Sequence, residues 1–154
     1  MVPASIAIRP FQPDDARAAS ALIRRVFDEM VAPDFGPEGV AQMHAFIDPE
    51  ALAGRATVLT TLVALDGPQI VGVIQMRDVA HVSLLFVHPL HMGQGIATAL
   101  MNRVERICRA EGGAFMTVHS SLNAQGFYQR LRYQALGEPE RLHGFVYVPM
   151  LKRL

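Results

Sequence analysis

Alternating apolar and polar positions predict short strands and amphipathic helices along the whole chain. Residues 5–9 alternate with the period of a strand, and Pro13-Asp14-Asp15 then opens a helix that continues to about Met30. A loop over residues 31–37 leads to a weaker helix over about residues 38–46, which ends before an Asp-Pro pair. The first third of the chain is therefore predicted to be one strand and two helices.

The middle of the chain predicts a hairpin and a further strand. Two apolar runs, residues 58–65 and 70–76, flank Asp66-Gly67-Pro68-Gln69, a sequence typical of a tight turn. The apolar run over residues 81–87 is the next strand. We therefore expect three consecutive strands, of which the first two pair directly.

From residue 96 the apolar period changes to that of a helix. The apolar side is formed by Ile96, Leu100, Val104, Ile107 and Cys108. The polar side is assigned to Asn102, Arg103, Glu105, Arg106 and Arg109. Gly112-Gly113 ends this helix, which we expect to pack against a sheet.

The rest of the chain predicts a buried strand over residues 114–118 and a short helix over residues 124–131, capped by Asn123 or Ser121. Two strands follow, around residues 134–137 and 145–148. The order is β-α-α-β-β-β-α-β-α-β-β. It indicates an α/β (α+β) fold with a mixed central sheet and helices on both faces.

Length and charge narrow the class of partner. A chain of 154 residues predicts a single domain, residues 1–154. The 14 basic and 14 acidic residues balance, and no basic run suggests nucleic acid or an anionic membrane. The single cysteine, Cys108, excludes an internal disulfide and favours a reducing, cytoplasmic setting. With no leader and no membrane-length apolar stretch in the sequence, a small-molecule partner is the expectation.

A glycine-containing segment, residues 88–98, joins the strand over residues 81–87 to the long helix. Such a turn exposes main-chain N–H groups at the positive end of a helix dipole, where a phosphate or pyrophosphate binds well. A P-loop needs Lys and then Ser or Thr at the helix start, but Ile96-Ala97 stands there. A dinucleotide fingerprint needs an acid about 20 residues further on, where Phe115 stands.

At this point the chain resembles the GNAT family, the Gcn5-related N-acetyltransferases. The segment Met92-Gly93-Gln94-Gly95-Ile96-Ala97 is similar to the family motif R/Q-x-x-G-x-G/A, with Met92 departing at the first position. Leu84-Leu85-Phe86-Val87-His88-Pro89 resembles the family's fourth strand. Residues 127–133 resemble its F-Y-x-x-L-G-F segment, with Arg132 and Tyr133 in place of Gly and Phe.

The resemblance implies a site for acetyl-CoA as co-substrate. The pyrophosphate would be held by main-chain N–H groups of the segment Met92, Gly93, Gln94, Gly95, Ile96, Ala97 and Thr98. Met92 offers no guanidinium, so that charge is missing or comes from another arginine. Main-chain groups of Leu85, Phe86 and Val87 would pair with the pantetheine arm, and one N–H there would polarise the thioester carbonyl.

The resemblance also implies catalytic side chains. Tyr128 is expected to act as general acid toward the leaving thiolate, because a phenol stays protonated at neutral pH. Ser121 and Asn123 are expected near the cofactor, with helix capping as the alternative. His81 is the expected general base, with His119 as its competitor, and the sequence leaves the choice open. Glu29, Asp34 or a water are the further options.

The acceptor is expected to be a primary amine, on a small molecule or a peptide, that the sequence does not identify. The segment over residues 30–49 would wall its site, through Phe35, Met43, Phe46, Asp34 and Glu38. No metal is expected, because His88 and His91 lack further ligands at a zinc spacing. Cys108 is expected in the core, where it cannot serve as an acyl-carrying nucleophile.

Two alternative functions stay open at this stage. One is a CoA-binding module of the same fold without catalysis, to which the departures at Met92 and Arg132-Tyr133 point. The other is a nucleotide-binding domain. The oligomeric state is not fixed by the sequence, and the resemblance implies a homodimer as the default.

Overall fold

The structure, a computed structural model, describes residues 2–154. Its strands are β1 (Ile6–Pro10), β2 (Thr60–Asp66), β3 (Gln69–Arg77), β4 (His81–Val87), β5 (Phe115–Ser120), β6 (Gln134–Ala135), β7 (Glu140–Leu142) and β8 (Phe145–Arg153). Its helices are α1 (Ala16–Met30), α2 (Pro37–Phe46), α3 (Pro49–Ala56), α4 (Ile96–Ala110) and α5 (Gln125–Arg130). Short 3-10 turns lie at Pro13–Asp15, Ala32–Asp34 and Pro89–His91.

One mixed sheet organises these elements, as predicted. The strand order is β1-β2-β3-β4-β5-β8-β6, and β7 pairs with β8 at its side. Strands β4 and β5 pair in parallel, whereas the other pairs are antiparallel. Strand β4 therefore lies at the centre of the sheet and forms, with β5, the parallel pair among the described strands.

Helices cover both faces of the sheet, also as predicted. Each face of the sheet has its own hydrophobic core, and successive residues of β2 point to opposite faces. Leu62 belongs to the core under α4, and Val63 belongs to the core under α1 and α3. Helix α4 contributes buried Leu100 and Val104 to the first core, and α1 contributes Ile23 to the second. The period-2 and helical patterns of the sequence explain this division.

Helix α3 was not predicted. The pair Asp48-Pro49, which we interpreted as the end of the preceding helix, instead starts a new one. The Asp48 side chain accepts a hydrogen bond from Glu50 N at 3.2 Å, and proline occupies the first helical position. The observed order therefore has three helices between β1 and β2.

The C-terminal region has more strand than expected. Strand β7 was missed, and β8 runs to Arg153 rather than stopping at residue 148. Proline cannot donate to a ladder, yet β8 continues through Pro149. The strand continues because Pro149 accepts through its carbonyl from Leu136 N at 2.8 Å.

Glu105 was wrongly assigned to the polar side of α4, since it is buried. Its carboxylate accepts from the Tyr133 hydroxyl at 2.8 Å and from Lys152 Nζ at 2.8 Å. These two donors offset the loss of hydration that a buried carboxylate suffers. No helix within residues 2–154 combines the length and the apolar character needed to cross a membrane.

Candidate active site

A bulge in β4 opens the sheet at the centre of the site. The register of β3 against β4 shifts between Gln75 and Met76, which leaves Ser83 as an extra residue on β4. Pairing of β4 with β5 ends at Val82, whose partner is Val118. A bulge bends its strand, so β4 turns away from β5 where the pairing stops. A gap forms between the two strands.

The register shows which amides of β4 face this gap. His88 N donates to Val71 O at 2.8 Å, and residues of an antiparallel pair alternate between bonded and non-bonded positions. The main-chain groups of Phe86 therefore face β3, and those of Leu85 and Val87 face the gap. The main-chain role expected of Phe86 does not fit this register, although its side chain lines the cavity.

Two glycines shape the turn between β4 and α4. Gly93 and Gly95 both have φ of 80°, in the left-handed region that favours glycine. The N–H groups of residues 93–98 donate to no acceptor within residues 2–154, and the first bonded amide is that of Ala99. These donors sit at the positive end of the α4 dipole, which is the arrangement that binds a phosphate group.

A guanidinium adjoins this turn although Met92 replaces the motif's arginine. Met92 itself is 42% exposed. Arg25 of α1 places Nη1 3.2 Å from His88 Nε2, at the first residue of the turn. Burial, with Arg25 as the next cause, lowers the pKa of His88. Positive charge near the turn is therefore supplied from another element.

The end of α5 fixes the position of Tyr128. Tyr133 N donates to Tyr128 O at 3.0 Å and Arg132 N donates to Gln129 O at 2.9 Å, which is a Schellman motif. The motif requires a left-handed residue, and Arg132 has φ of 74° there. The rings of Tyr133 and Tyr128 make an edge contact at 5.7 Å between centroids. Arg132 thus occupies the glycine position of the family segment with the same backbone conformation.

A cavity of about 550 Å³ joins the gap to these side chains. It is lined by Leu85, Ser121, Tyr128, His81 and His119, among others. Tyr128 is 7% exposed and lines the cavity. Burial raises the pKa of Tyr128, so the phenol keeps its proton at neutral pH.

The two histidines proposed as alternative bases are neighbours in the cavity wall. Their ring centroids are 4.6 Å apart, and the His119 ring stacks on Tyr147 at 4.2 Å. His81 Nδ1 lies 2.7 Å from Thr117 Oγ1. Burial, followed by the charges of His119 and Arg77, lowers the pKa of His81 to about 4. His81 is therefore neutral at physiological pH.

Comparison with known proteins identifies the class. The family model described as an Acetyltransferase (GNAT) domain matches residues 31–154. The chain belongs to the GNAT acetyltransferase family. No curated protein matches the sequence.

Solved structures share the GNAT fold over nearly the whole chain. A GCN5-related N-acetyltransferase from Rhodopseudomonas palustris, whose name adds "Aminotransferase, Class-II", has TM-score 0.84 and 28% identity, covering 100% of this chain and 99% of its own. PaiA N-acetyltransferase from Thermoplasma acidophilum, in complex with coenzyme A, has TM-score 0.80 and 16% identity, covering 97% and 99%. An aminoglycoside 6'-N-acetyltransferase complexed with coenzyme A has TM-score 0.67 and 18% identity, covering 96% of each chain.

In this GNAT chain the wall opposite the glycine turn is mainly aromatic. Phe35, Met43 and Phe46 line the cavity, where sequence analysis expected them. Asp34 and Glu38 do not line it. Further wall residues come from α1 and β8, which sequence analysis did not assign to the site. Those additional residues are Phe27, Phe145, Val146 and Tyr147.

A close backbone contact brings the β7–β8 turn to α2. Gly36 N donates to Gly144 O at 2.9 Å. A Cβ atom on Gly39 would lie 2.3 Å from the same carbonyl oxygen, so only glycine fits. Nothing in the separate patterns of α2 and β8 predicts that these glycines meet.

Neither residue expected to cap α5 does so. The residue at the N-cap is Ala124, without a side-chain bond. Asn123 Nδ2 instead donates to Met30 O, 2.9 Å away at the end of α1. Ser121 lines the cavity beside Tyr128.

The other candidate bases and ligands lie elsewhere. Glu29 is exposed and pairs with Arg25 at 3.5 Å. His91 Nε2 lies 3.2 Å from Asp66 Oδ2. Within residues 2–154 there is no group of three or more side chains able to hold a metal ion. Cys108 is buried in the core, and burial raises the pKa of its thiol.

Proposed function

We propose that the chain, residues 1–154, transfers the acetyl group of acetyl-CoA directly to a primary amine. The observation that supports this most strongly is the continuity of the site. The amides of residues 93–98 that make no backbone hydrogen bond follow β4 along the chain, Leu85 and Val87 of β4 face the gap, and Leu85 also lines the cavity that holds Tyr128 and His81. This order matches the order of diphosphate, pantetheine and thioester along acetyl-CoA.

The main chain supplies binding and carbonyl polarisation. The diphosphate accepts hydrogen bonds from the amides of residues 93–98, with Arg25 adding positive charge nearby. The pantetheine arm lies in the gap and pairs with Leu85 and Val87 as an added strand would. A β4 amide that faces the gap donates to the thioester oxygen, where negative charge develops during the attack.

Tyr128 completes the departure of the thiolate. The amine nitrogen attacks the carbonyl carbon, a tetrahedral intermediate forms, and the carbon–sulfur bond then breaks. The Tyr128 hydroxyl, in the wall of the cavity, donates its proton toward the sulfur. The thiol of coenzyme A is a stronger acid than the Tyr128 phenol. The phenol therefore serves chiefly by stabilising the negative charge that develops on the sulfur.

His81 accepts the proton that the amine loses. This role requires the tautomer in which Nδ1–H donates to Thr117 Oγ1, because Nε2 then carries the free lone pair. The low pKa of His81 keeps that lone pair available throughout the physiological range. His119, in contact with the His81 ring, is the second candidate on the same wall.

A CoA-binding module without catalysis is the competing proposal. Met92 in place of the motif's arginine favours it. Arg132 does not, since it keeps the left-handed conformation that orients Tyr128. Direct acetyl transfer is the better account because Tyr128, the candidate acid, and His81, the candidate base, line the same cavity as Leu85 of the gap.

Two measurements test the proposal. Acetyl-CoA at 100 times its Kd is expected to stabilise the protein by about 2.7 kcal/mol, whereas ATP and NAD have no such effect. In an amine library, thiol release above background hydrolysis is expected from at least one amine, and Tyr128→Phe should lower that rate by about a hundredfold. Stabilisation without any release would support the binding module instead.

The same variant separates chemistry from folding. Within residues 2–154, the structure gives the Tyr128 hydroxyl no protein hydrogen bond that the change to phenylalanine would break, and the ring keeps its packing. We therefore expect Tyr128→Phe to retain the melting temperature and the acetyl-CoA affinity of the wild type. A loss of activity that follows a loss of stability would remove Tyr128 from the mechanism.

A further inference from the structure

The charge of the acceptor wall differs from what the sequence suggested. The lining residues of the cavity include no aspartate or glutamate in the part of the chain that the structure describes. Its ionisable members are Arg77, Tyr128, Tyr147 and three histidines, His81, His119 and His143. The wall therefore offers no carboxylate to pair with a cationic group of a substrate.

The carboxylates that adjoin the wall are already engaged. Asp78 pairs with Arg77 at 3.3 Å. Glu140 accepts from the Tyr147 hydroxyl at 2.7 Å. Neither lines the cavity, and the two acids of the expected wall segment, Asp34 and Glu38, do not line it either.

The remaining surface of the wall is apolar and matches a ring in shape. Phe27 and Phe35 meet edge to face at 5.4 Å, and Phe35 meets Phe145 in the same way at 5.5 Å. Met43 and Phe46 of α2 line the same region. Aromatic rings arranged at right angles accept a further apolar or aromatic group with favourable edge contacts.

The lowered pKa values of His81 and His119 indicate that the cavity disfavours cations. Burial, with the Arg77 charge among the further causes, lowers the pKa of both His81 and His119. A second ammonium group on a substrate would meet the same desolvation and the same positive charge, without a carboxylate partner. The reacting amine avoids this cost because it must be neutral to attack.

Resting on the proposed N-acetyltransferase activity, we infer that the acceptor is a monoamine with an apolar, ring-sized body and no second positive charge. Polyamines and aminoglycosides, which carry several ammonium groups, are then poor acceptors. The chain would differ in this from the aminoglycoside 6'-N-acetyltransferase that shares its fold. The reacting amine lies toward His81 and the apolar body lies against Phe35 and Phe145.

The test compares two amines that differ in one charged group. 2-Phenylethylamine and its 4-aminomethyl derivative share the ring and the reacting chain, but the derivative carries a second ammonium. With acetyl-CoA and a thiol-release readout, kcat/KM is expected to be at least about tenfold higher for the monoamine, since a buried charge without a partner costs more than 1.4 kcal/mol. Equal values, or a preference for the derivative or for an aminoglycoside, would overturn the inference.

A pair of wall variants tests the cause. Phe35→Asp supplies the missing carboxylate, and Phe35→Asn removes the same ring without a charge. The ratio of kcat/KM for diamine over monoamine should rise about tenfold in the aspartate variant relative to the asparagine variant. Thermal stabilisation by acetyl-CoA in both variants verifies folding. An unchanged ratio in folded variants would contradict the charge argument.

A binding measurement keeps this inference separate from the proposed chemistry. The acetamides of the two amines can be titrated calorimetrically into the CoA-bound protein, which requires no turnover. The acetamide of the monoamine should bind at least about tenfold more tightly. If no amine releases thiol but the monoamine acetamide still binds more tightly, the proposed activity fails and the inference about the cavity stands. If amines are turned over but neither acetamide binds, the inference about the cavity fails and the proposed activity stands.

Discussion

The two halves of the proposed site, one for the cofactor and one for the acceptor, are built in different ways. The proposed cofactor half, residues 85–98, is one continuous stretch of chain that contributes mainly backbone amides. The acceptor half is formed by side chains of α1, α2 and β8, which lie far apart in sequence and meet only in the folded protein. A site made from main-chain groups leaves a local pattern of glycines, whereas a wall of side chains depends on how distant elements pack.

The structure suggests that each half can be damaged without the other. Both halves contain a glycine whose replacement has a definite physical consequence, and each of these glycines has a matched control. Four predictions follow from this contrast, beginning with the largest effect.

Gly39→Ala should damage the acceptor half. Its methyl group would lie 2.3 Å from Gly144 O, so α2 must move away from the turn that precedes Phe145. We expect KM for the amine to rise at least about tenfold, with a loss of about 1–3 kcal/mol in the free energy of unfolding. Acetyl-CoA affinity, measured by calorimetry, should stay within about twofold of wild type, because a tenfold change needs about 1.4 kcal/mol.

Gly54→Ala is the matched control for that variant. Gly54 lies in α3, and an added Cβ meets no atom within 4 Å. Alanine there should raise stability by about 0.5–1 kcal/mol without changing KM. Equal KM values for the two variants would show that the contact between α2 and the β7–β8 turn does not shape the acceptor half.

Gly93→Ala should damage the cofactor half. With φ of +80°, Gly93 holds a conformation that costs an alanine about 1–2 kcal/mol, so the turn relaxes and its amides lose their common direction. We expect the Kd for acetyl-CoA to rise about tenfold while the wall around Phe35 is unaffected. Calorimetric titration with acetyl-CoA measures this change.

Gly112→Ala is the matched control for Gly93→Ala, because it introduces similar backbone strain outside the proposed acetyl-CoA site. Gly112 has φ of +82° after the far end of α4, and like Gly93 it has open space where a Cβ would stand. The two variants should lose similar stability, but only Gly93→Ala should weaken acetyl-CoA binding. If both bind acetyl-CoA like the wild type, the amides of the turn do not hold the cofactor.

His81 predicts a dependence of stability on pH. Its pKa is about 4 in the folded protein and near the ordinary value of 6.5 when unfolded. Between these values the unfolded chain binds a proton that the folded chain does not. The free energy of unfolding should therefore fall as the pH decreases from about 6.5 to about 4.

His81→Gln removes this contribution. Urea denaturation at pH 7 and pH 5 should show a smaller loss of stability in the variant than in the wild type. An identical loss in both proteins would mean that His81 is not held neutral by the cavity. The variant's acetyl-CoA affinity is expected to be unchanged, because the proposed cofactor contacts are main-chain groups of Leu85, Val87 and residues 93–98.

Arg132→Gly is expected to have the smallest effect. Arg132 adopts φ of 74° at the end of α5, a conformation that glycine adopts without strain. After allowing for the greater freedom of glycine in the unfolded chain, we expect a gain of up to about 1 kcal/mol in the free energy of unfolding. A lower melting temperature would indicate that the arginine side chain makes a compensating contact.

The same difference between local and long-range contacts explains which elements could be predicted from the sequence. The strand over residues 81–87, the turn at Gly93 and Gly95 and the start of α4 all follow from local patterns. Helix α3 was missed because Asp48-Pro49 reads equally well as an end or a start of a helix. The bulge at Ser83 has no distinctive residue, although it decides where β4 leaves β5.

The acceptor half was predicted only in part. The aromatic residues of the segment over residues 30–49 were placed correctly, because apolar side chains there must face something buried. The acids Asp34 and Glu38 were misplaced, since composition does not reveal which side of a turn faces a cavity. Phe145 and Tyr147 could not be assigned, because contacts between residues far apart in sequence, such as Gly39 with Gly144 and Phe35 with Phe145, bring β8 to this wall.

The central claim is that main-chain amides of residues 93–98 bind the diphosphate of coenzyme A. The most direct measurement is an amide-resolved NMR titration with coenzyme A and, separately, with pantetheine, which lacks the diphosphate. We predict large shifts of the Gly93, Gln94 and Gly95 amides with coenzyme A, and shifts confined to the Leu85 and Val87 region with pantetheine. If these three amides stay unchanged while coenzyme A binds, or respond equally to both compounds, the claim is contradicted.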